Sequence, residues 1–214
     1  MEKSSKVLLF DLGNVLLPID LDLTYQAFAN YSSKYSFQEI KSITSELGLW
    51  VAYESGLQTE QEFRNFLKRE LSLNCSDEQF DKAFNALLLR FEFETYSTLK
   101  QYKNNFSGLY LLSNTSKIHS DEYFTYRVGE EQVSIFDLFD HLFLSYEMGL
   151  VKPDPAIYQL VSEKIEVPFH EIIFFDDNSN NIEIALSLGM NAHLINPSTS
   201  INQIKLTLDG YLNK

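Results

Sequence analysis

The stretch KVLLFDLGNVL, residues 6–16, decides the fold class of this chain. Its apolar run stops abruptly at Asp11, and the chain then turns over Gly13. A short Val/Leu/Phe run without alternation is typical of a strand buried on both faces of a parallel sheet. Ligands of such sheets bind just beyond the carboxyl ends of the strands, so Asp11 is expected where a substrate binds. An aspartate after a strand also commonly forms a turn or caps a helix, so partners elsewhere must decide.

Further short apolar runs also end in residues that can carry chemistry. Residues 108–112 and 172–175 form two such runs, and a shorter Leu/Phe run precedes the loop around residue 152. The groups at their ends are, in chain order, Ser113 with Asn114, Lys152, and Asp176 with Asp177. Helical patterns fill the gaps between the runs, which predicts an α/β fold with a Rossmann-like parallel sheet. The strand ends of such a sheet share one edge, so these groups are expected to meet there.

The segment between the first two strands has a different pattern. Over residues 21–103 no convincing strand occurs, and apolar residues recur at helical spacing. Thr59 with Glu62, and Ser76 with Gln79, have the spacing of capping boxes that open helices. The segment is too long for a connecting loop. The sequence therefore predicts an all-helical domain at 21–103, inserted into a core formed by residues 1–20 and 104–214.

Three residues of this helical segment have two open interpretations. Trp50, Tyr53 and Glu54 precede Gly56 in LWVAYESG. Some of them can face the active cleft, or the aromatic pair can simply pack the helices together. The sequence leaves this choice open.

Composition excludes several classes of protein. The chain has 214 residues, is 44% hydrophobic and carries a net charge of -13, which opposes binding to nucleic acid or to anionic membranes. Its single cysteine, Cys75, excludes an internal disulfide and a cysteine-rich zinc site, and fits a reducing compartment. No apolar stretch approaches the length of a membrane span. A cytoplasmic protein with a small-molecule partner is expected, either a monomer or a small homo-oligomer.

The strand-end groups, in this order, resemble the haloacid dehalogenase (HAD) superfamily of hydrolases. Asp11 matches the nucleophile of the first motif, Ser113 the hydroxyl of the second, Lys152 the cation of the third, and Asp176 with Asp177 the acidic fourth motif. The inserted helices resemble the helical (C1-type) cap of that superfamily. Within it, FDLGNV, LLSNTS, GLVKPDPAIY and FFDDNSNNI look most like a phosphatase branch that includes bacterial α-D-glucose-1-phosphate phosphatases.

This resemblance implies a role for each motif residue. Asp11 would attack phosphorus and form an aspartyl-phosphate, while Ser113 and the Asn114 amide would donate hydrogen bonds to the phosphoryl group. Lys152 would offset the negative charge. Mg²⁺ would be held by Asp11, by the backbone carbonyl of Gly13 and by Asp177, with Asp176 as a further ligand or just behind the ligands. Asn181 is expected to order the acidic loop or to lie on a helix surface.

Gly13 departs from the phosphatase pattern of the superfamily. Most members have a second aspartate at that position, which protonates the leaving group and then activates water. A positioned acid or base is worth roughly 10² to 10⁴ in rate. The substrate can have a good leaving group, another residue can supply the proton, or turnover can be slow.

Among substitute acids, His119 is the leading candidate, and it is also a candidate substrate contact. Asp20 and Asp22 are the alternatives, although both also suit a solvated turn.

The predicted function is a Mg²⁺-dependent phosphatase acting on a small phosphorylated metabolite, such as a sugar 1-phosphate. Two alternatives stay open at this point. One is a protein that binds a phosphorylated metabolite without turnover, because the usual acid is missing. The other is a metal-independent 2-haloacid dehalogenase, in which the Asp176 and Asp177 pair would have no use.

Overall fold

The computed structural model describes residues 3–48 and 50–213. The strands of its sheet are β1 (Ser4–Phe10), β2 (Phe106–Ser113), β3 (His141–Leu144), β4 (Ile172–Asp176) and β5 (Asn191–Leu194). They lie in the order β3-β2-β1-β4-β5, and every neighbouring pair is parallel. The first strand of the chain is therefore the central strand. The predicted α/β fold with a parallel sheet is confirmed.

Helices cover the sheet and fill the long connection between β1 and β2. That connection contains α1 (Leu21–Ala29), α2 (Phe37–Leu47), α3 (Val51–Glu54), α4 (Glu60–Glu70), α5 (Asp77–Phe84) and α6 (Phe93–Lys103). Later helices are α7 (Lys117–Tyr123), α8 (Ser145–Met148), α9 (Pro155–Ile165), α10 (Ser179–Ser187) and α11 (Ser200–Leu212). Short 3₁₀ helices span Asn85–Leu87, Ile135–Leu138, Phe169–Glu171 and Pro197–Thr199.

The unbroken apolar run of β1 is explained by burial on both faces of the sheet. Leu8 and Phe10 belong to a core cluster that includes side chains of α6 and α11. Val7 and Leu9 point to the opposite face, into a cluster with α9 and α10. Phe10 pairs in register with Phe175 of β4, and their rings stack 4.8 Å apart. Both faces are covered over residues 7–10, and this part of the strand is apolar up to Asp11.

Helices α1 to α5 form a unit with its own core, which we call the cap. Its cluster contains Phe28, Phe63, Phe80 and Phe84, all fully buried. The capping boxes predicted at Thr59–Glu62 and Ser76–Gln79 are both present, and a third is formed by Ser36 and Glu39. These boxes fix the N-termini of α2, α4 and α5, because each satisfies backbone donors that a helix start leaves free.

The last helix of the insertion packs with the sheet rather than with the cap. Tyr96, Leu99 and Tyr102 of α6 lie in the same cluster as β1 and β2. The Tyr102 hydroxyl donates to the Asp209 carboxylate of α11 at 2.6 Å. We therefore propose that the cap ends before Phe91, which also packs in this core cluster, rather than at residue 103. Periodicity cannot distinguish the two locations, since a helix has the same apolar spacing on either core.

Among the helices of the described residues, none combines the length and the apolar character that crossing a membrane requires.

Candidate active site

The centre of the site is a buried lysine held between two carboxylates. Lys152 Nζ donates to Asp11 Oδ1 at 2.7 Å and to Asp176 Oδ2 at 2.6 Å. Asp11 follows β1 and Asp176 ends β4, so the adjacent parallel strands deliver both carboxylates to one sheet edge. All three residues are buried. Three strand-end groups of the predicted site therefore meet in space.

Asn114 sets the position of the lysine. Its side-chain Oδ1 accepts from the backbone N of Lys152 at 2.8 Å, and its Nδ2 donates to the backbone O of Lys152 at 2.9 Å. This pair of hydrogen bonds clamps the loop after α8 against the end of β2. The sequence reasoning assigned only the backbone amide of Asn114 and missed this use of its side chain. An asparagine just past a strand gives no signal that distinguishes the two uses.

Asn181 is buried and orders the acidic loop, which is one of the two roles that the sequence left open. Its Nδ2 lies 3.0 Å from both carboxylate oxygens of Asp176, and the backbone N of Asn178 donates to Asp176 Oδ1 at 2.8 Å. Both oxygens of Asp176 are therefore occupied by protein donors. Asp176 is better suited to hold Lys152 than to bind a metal ion directly.

The remaining carboxylate, Asp177, lies next to the turn after β1. Ligand oxygens of Asp11, Asp176 and Asp177 all lie within 4.8 Å of one another. Asn14 Nδ2 donates to Asp177 Oδ2 at 3.2 Å, while Asn14 Oδ1 accepts from Ile19 N at 3.3 Å. Asn14 has a φ of 58°, a left-handed conformation that asparagine adopts more readily than most residues. This bridge was not predicted from the sequence.

The donor set fits Mg²⁺. Three carboxylates close together repel one another, and Lys152 balances only one of them. Magnesium prefers hard oxygen ligands and retains several waters. Asp177 is half-buried, and Asp11 Oδ2 accepts no hydrogen bond from the described residues. Asp11 Oδ2 is therefore free to bind a hard cation, and Asp177, which accepts one hydrogen bond from Asn14, lies beside it.

Burial and charge shift the pKa values of the central groups. Burial, with help from Asp176 and Asp177, raises the pKa of Asp11, and Lys152 opposes this rise. Burial acts to lower the pKa of Lys152, but Asp11 and Asp176 outweigh it and raise that pKa above its ordinary value. Lys152 is therefore a permanent cation. A second cation beside Asp11 would favour its carboxylate form.

Ser113 and Gly13 border a cavity between the sheet edge and the cap. Ser113 is buried, and within the described part of the chain its hydroxyl makes one hydrogen bond, to Asn114 O at 3.4 Å, so it is available to a ligand. The cavity has a volume of about 360 Å³, and Glu54 of the cap lines it too. Of the described residues that line it, ten are apolar or aromatic and none is Lys or Arg. The apolar or aromatic ones are Leu12, Leu17, Ile19, Leu21, Tyr25, Trp50, Val51, Leu87, Leu88 and Tyr123.

His119 lies in the cavity wall as a neutral group. Its ring stacks on Phe84 at 4.0 Å, and its Nδ1 lies 2.8 Å from Asn85 Oδ1. Since Asn85 Nδ2 donates to Ile118 O, the Nδ1 of His119 carries the proton and Nε2 is left as an acceptor. Burial lowers the pKa of His119 to about 3. The ring can accept a hydrogen bond from a ligand, but it has no proton to spare near neutral pH.

The two aspartates considered as alternative acids have structural partners. Asp20 caps α1 by accepting from Asp22 N at 3.0 Å, and Asp22 pairs with Lys41 at 2.6 Å. Neither lines the cavity. Asp20 lies in the turn before α1 and Asp22 in its first turn, so the structure agrees with the solvated turn considered for both rather than with an acid in the cavity.

Comparison with known sequences gives a family model and relatives that match most of this chain. A family model described as haloacid dehalogenase-like hydrolase matches residues 5–189. D-ribitol-5-phosphate phosphatase of Bacteroides thetaiotaomicron is 30% identical over 188 residues, which cover 86% of this chain and 88% of that protein. Drimenol cyclase drtB of Aspergillus calidoustus is 32% identical over 201 residues, or 92% of this chain. The chain spans only 35% of the length of that cyclase.

Comparison with solved structures also gives a protein that is similar over most of this chain. A HAD-family enzyme of Bacteroides thetaiotaomicron, solved in complex with magnesium and inorganic phosphate, superposes with a TM-score of 0.80. It is 31% identical, and the match covers 91% of this chain and 96% of the other.

Proposed function

The chain belongs to the haloacid dehalogenase-like hydrolases, and we propose that it is a Mg²⁺-dependent phosphatase of a small phosphorylated metabolite. The observation that carries this proposal is the buried Asp11–Lys152–Asp176 cluster with Asp177 beside it. Two relatives support it. One is a phosphatase of a sugar-alcohol phosphate, and the other was solved with magnesium and phosphate bound.

Asp11 is the proposed nucleophile. Its carboxylate attacks phosphorus and forms an aspartyl-phosphate as the bond to the leaving oxygen breaks, and water then hydrolyses this intermediate. Lys152 holds Asp11 in place and offsets charge on the phosphoryl group, while Ser113 and the Asn114 amide donate to phosphoryl oxygens. Asp11, the Gly13 carbonyl and Asp177 would hold Mg²⁺, which when bound supplies further positive charge beside the phosphoryl oxygens.

Two classes of substrate are proposed for this site. The phosphatase relative supports a sugar or sugar-alcohol phosphate. The cavity instead favours a phosphate ester with an apolar alcohol, because apolar side chains dominate its lining. A paired measurement of kcat/KM on ribitol 5-phosphate and on hexyl phosphate distinguishes the two classes.

The test of the function is phosphate release from p-nitrophenyl phosphate with Mg²⁺. We expect the wild-type protein to turn over, and both chelation and Asp11→Asn to abolish turnover. Full activity of the Asp11→Asn variant would refute the mechanism. Binding of phosphate without turnover across a substrate panel would indicate a binding protein. Activity on 2-chloropropionate in the presence of chelator would indicate a dehalogenase.

A further inference from the structure

Glu54 of the cap lines the cavity, and its carboxyl lies close enough to Asp11 and Lys152 for their charges to act on its pKa. Glu54 ends α3, and its backbone O accepts from the buried Ser145 Oγ at 2.7 Å. Ser145 Oγ also accepts from Thr115 N at 2.9 Å, which ties it to the loop after β2. The preceding residue, Tyr53, accepts from Ile118 N through its hydroxyl at 3.1 Å. The hydrogen bonds of the Tyr53 hydroxyl and of the Glu54 backbone therefore fix this part of the cap to the core.

Glu54 is the only carboxyl group among the described residues that line this cavity. Gly13, Ser113 and Asn114, which border the proposed phosphoryl site, line the same cavity. No hydrogen bond or ion pair within residues 3–48 and 50–213 engages the side chain of Glu54, although it is half-buried. A desolvated carboxyl in a cavity, without a protein partner, is a candidate general acid.

We propose that Glu54 performs the proton transfers that the missing aspartate at position 13 performs in related phosphatases. This inference rests on the proposed phosphatase function. In the first step Asp11 attacks phosphorus, the bond to the leaving oxygen breaks, and the Glu54 carboxyl gives its proton to that oxygen. In the second step Glu54 takes a proton from water, the water oxygen bonds to phosphorus, and the bond to Asp11 breaks. Glu54 ends protonated, as it began.

The electrostatics of the site suit both steps. Burial raises the pKa of Glu54 to about 7, helped by Asp11 and opposed by Lys152. Near neutral pH the group is then present in both its acid and its base form, which is the condition for efficient acid–base catalysis. His119, the other cavity group considered for this role, is neutral because burial lowers its pKa to about 3. Of these two cavity groups, Glu54 is therefore the one that can donate a proton near neutral pH.

The test compares Glu54→Gln with a matched change on the same cap, Glu78→Gln, which lies on the exposed surface of α5. On hexyl phosphate, a poor leaving group, Glu54→Gln should lower kcat/KM by roughly 10² to 10⁴, the usual worth of an acid or base. On p-nitrophenyl phosphate the first step needs little protonation. The variant should therefore release a burst of one nitrophenol per enzyme and then accumulate phosphorylated Asp11, detected by mass spectrometry. Glu78→Gln should match the wild type on both esters.

Two outcomes overturn the inference. Unchanged rates in Glu54→Gln would show that the proton comes from elsewhere. An equal loss on both esters, without a burst or a phosphorylated enzyme, would show that Glu54 only supports the structure or binds substrate. Both outcomes leave the phosphatase function intact if the wild type turns over and Asp11→Asn does not. Failure of the wild type on every ester would instead refute the function itself.

Discussion

At the scale of single residues, Gly13 of the core and Glu54 of the cap line the same cavity. Gly13 contributes a carbonyl and no side chain, whereas Glu54 contributes a carboxyl from the cap. A Cβ atom added at Gly13 would lie 3.3 Å from the Cδ1 atom of Ile19, which is the end of a side chain and not backbone. A side chain at position 13 therefore requires only a small shift of the Ile19 side chain at its first atom.

This geometry predicts a rescue experiment. The double variant Gly13→Asp with Glu54→Gln should regain at least about tenfold in kcat/KM on hexyl phosphate relative to Glu54→Gln alone, because it restores a carboxyl beside the leaving oxygen. The neutral isostere Gly13→Asn in the same background is the control and should recover nothing. Equal recovery with aspartate and asparagine would mean that the side chain acts by shape rather than by proton transfer.

His119 gives a second prediction, for stability against pH. Its folded pKa of about 3 lies below the ordinary value of 6.5, so between these values the unfolded chain binds a proton that the folded chain does not. Stability from this group is complete above pH 6.5 and is lost as the pH falls. At about 1.4 kcal/mol per pH unit, His119 should cost roughly 2 to 3 kcal/mol by about pH 4.5.

The measurement is the free energy of unfolding by urea at several pH values, for wild type and His119→Gln. The variant should lose less stability on acidification than the wild type. Asp11 and Glu54, whose pKa values are raised, contribute in the opposite direction and equally in both proteins. Parallel curves for the two proteins would contradict the assignment of a buried neutral histidine.

At the scale of elements, the contact between α3 and α8 decides where Glu54 lies. Gly56, just after α3, has a φ of 69°, and a Cβ atom there would lie 2.3 Å from the backbone O of Tyr146 in α8. Gly149, at the end of α8, has the same φ of 69° but nothing within 4 Å of its added Cβ. Both glycines have a left-handed φ, but only Gly56 lies in close contact with a neighbouring backbone atom.

Gly56→Ala should therefore damage the enzyme more than Gly149→Ala. Relief of the overlap requires α3 to move away from α8, which withdraws Glu54 from the cavity. We expect kcat/KM on hexyl phosphate to fall by more than about tenfold in Gly56→Ala. Gly149→Ala should cost stability only, of the order of 1 kcal/mol, because an alanine in this conformation is strained. Equal kcat/KM values in the two variants would refute the role of the close contact.

The same elements show what the sequence could and could not predict. The strand ends at Asp11, Ser113 and Asp176 follow from apolar runs that stop, because local composition records burial on both faces of a sheet. The capping boxes could also be predicted, because each depends on two residues three positions apart in the sequence. The location of α6 and the direction of Glu54 are tertiary facts, since they depend on Asp209 and Ser145, which lie far away in sequence. The role of Trp50, Tyr53 and Glu54 could not be chosen beforehand for this reason.

At the scale of the whole molecule, the net charge of the protein opposes the approach of the proposed substrate, because both are negative. The chain carries a net charge of -13, and the site itself has three carboxylates against Lys152. A phosphate ester dianion is therefore repelled at long range and attracted only by groups within the site. This is the reverse of an enzyme that steers its substrate by an opposite surface charge.

Ionic strength should accordingly raise the activity. Salt screens the long-range repulsion once the Debye length falls to about 8 Å at ~0.15 M, while buried pairs are little affected. At fixed free Mg²⁺, we expect kcat/KM for hexyl phosphate to rise roughly two- to fivefold between ~0.01 M and ~0.15 M salt. Potassium chloride and choline chloride should act alike, because screening does not depend on which monovalent cation is present. A fall in kcat/KM with salt would instead mean that cationic surface groups attract the substrate, and that the net charge does not govern its approach to the cavity.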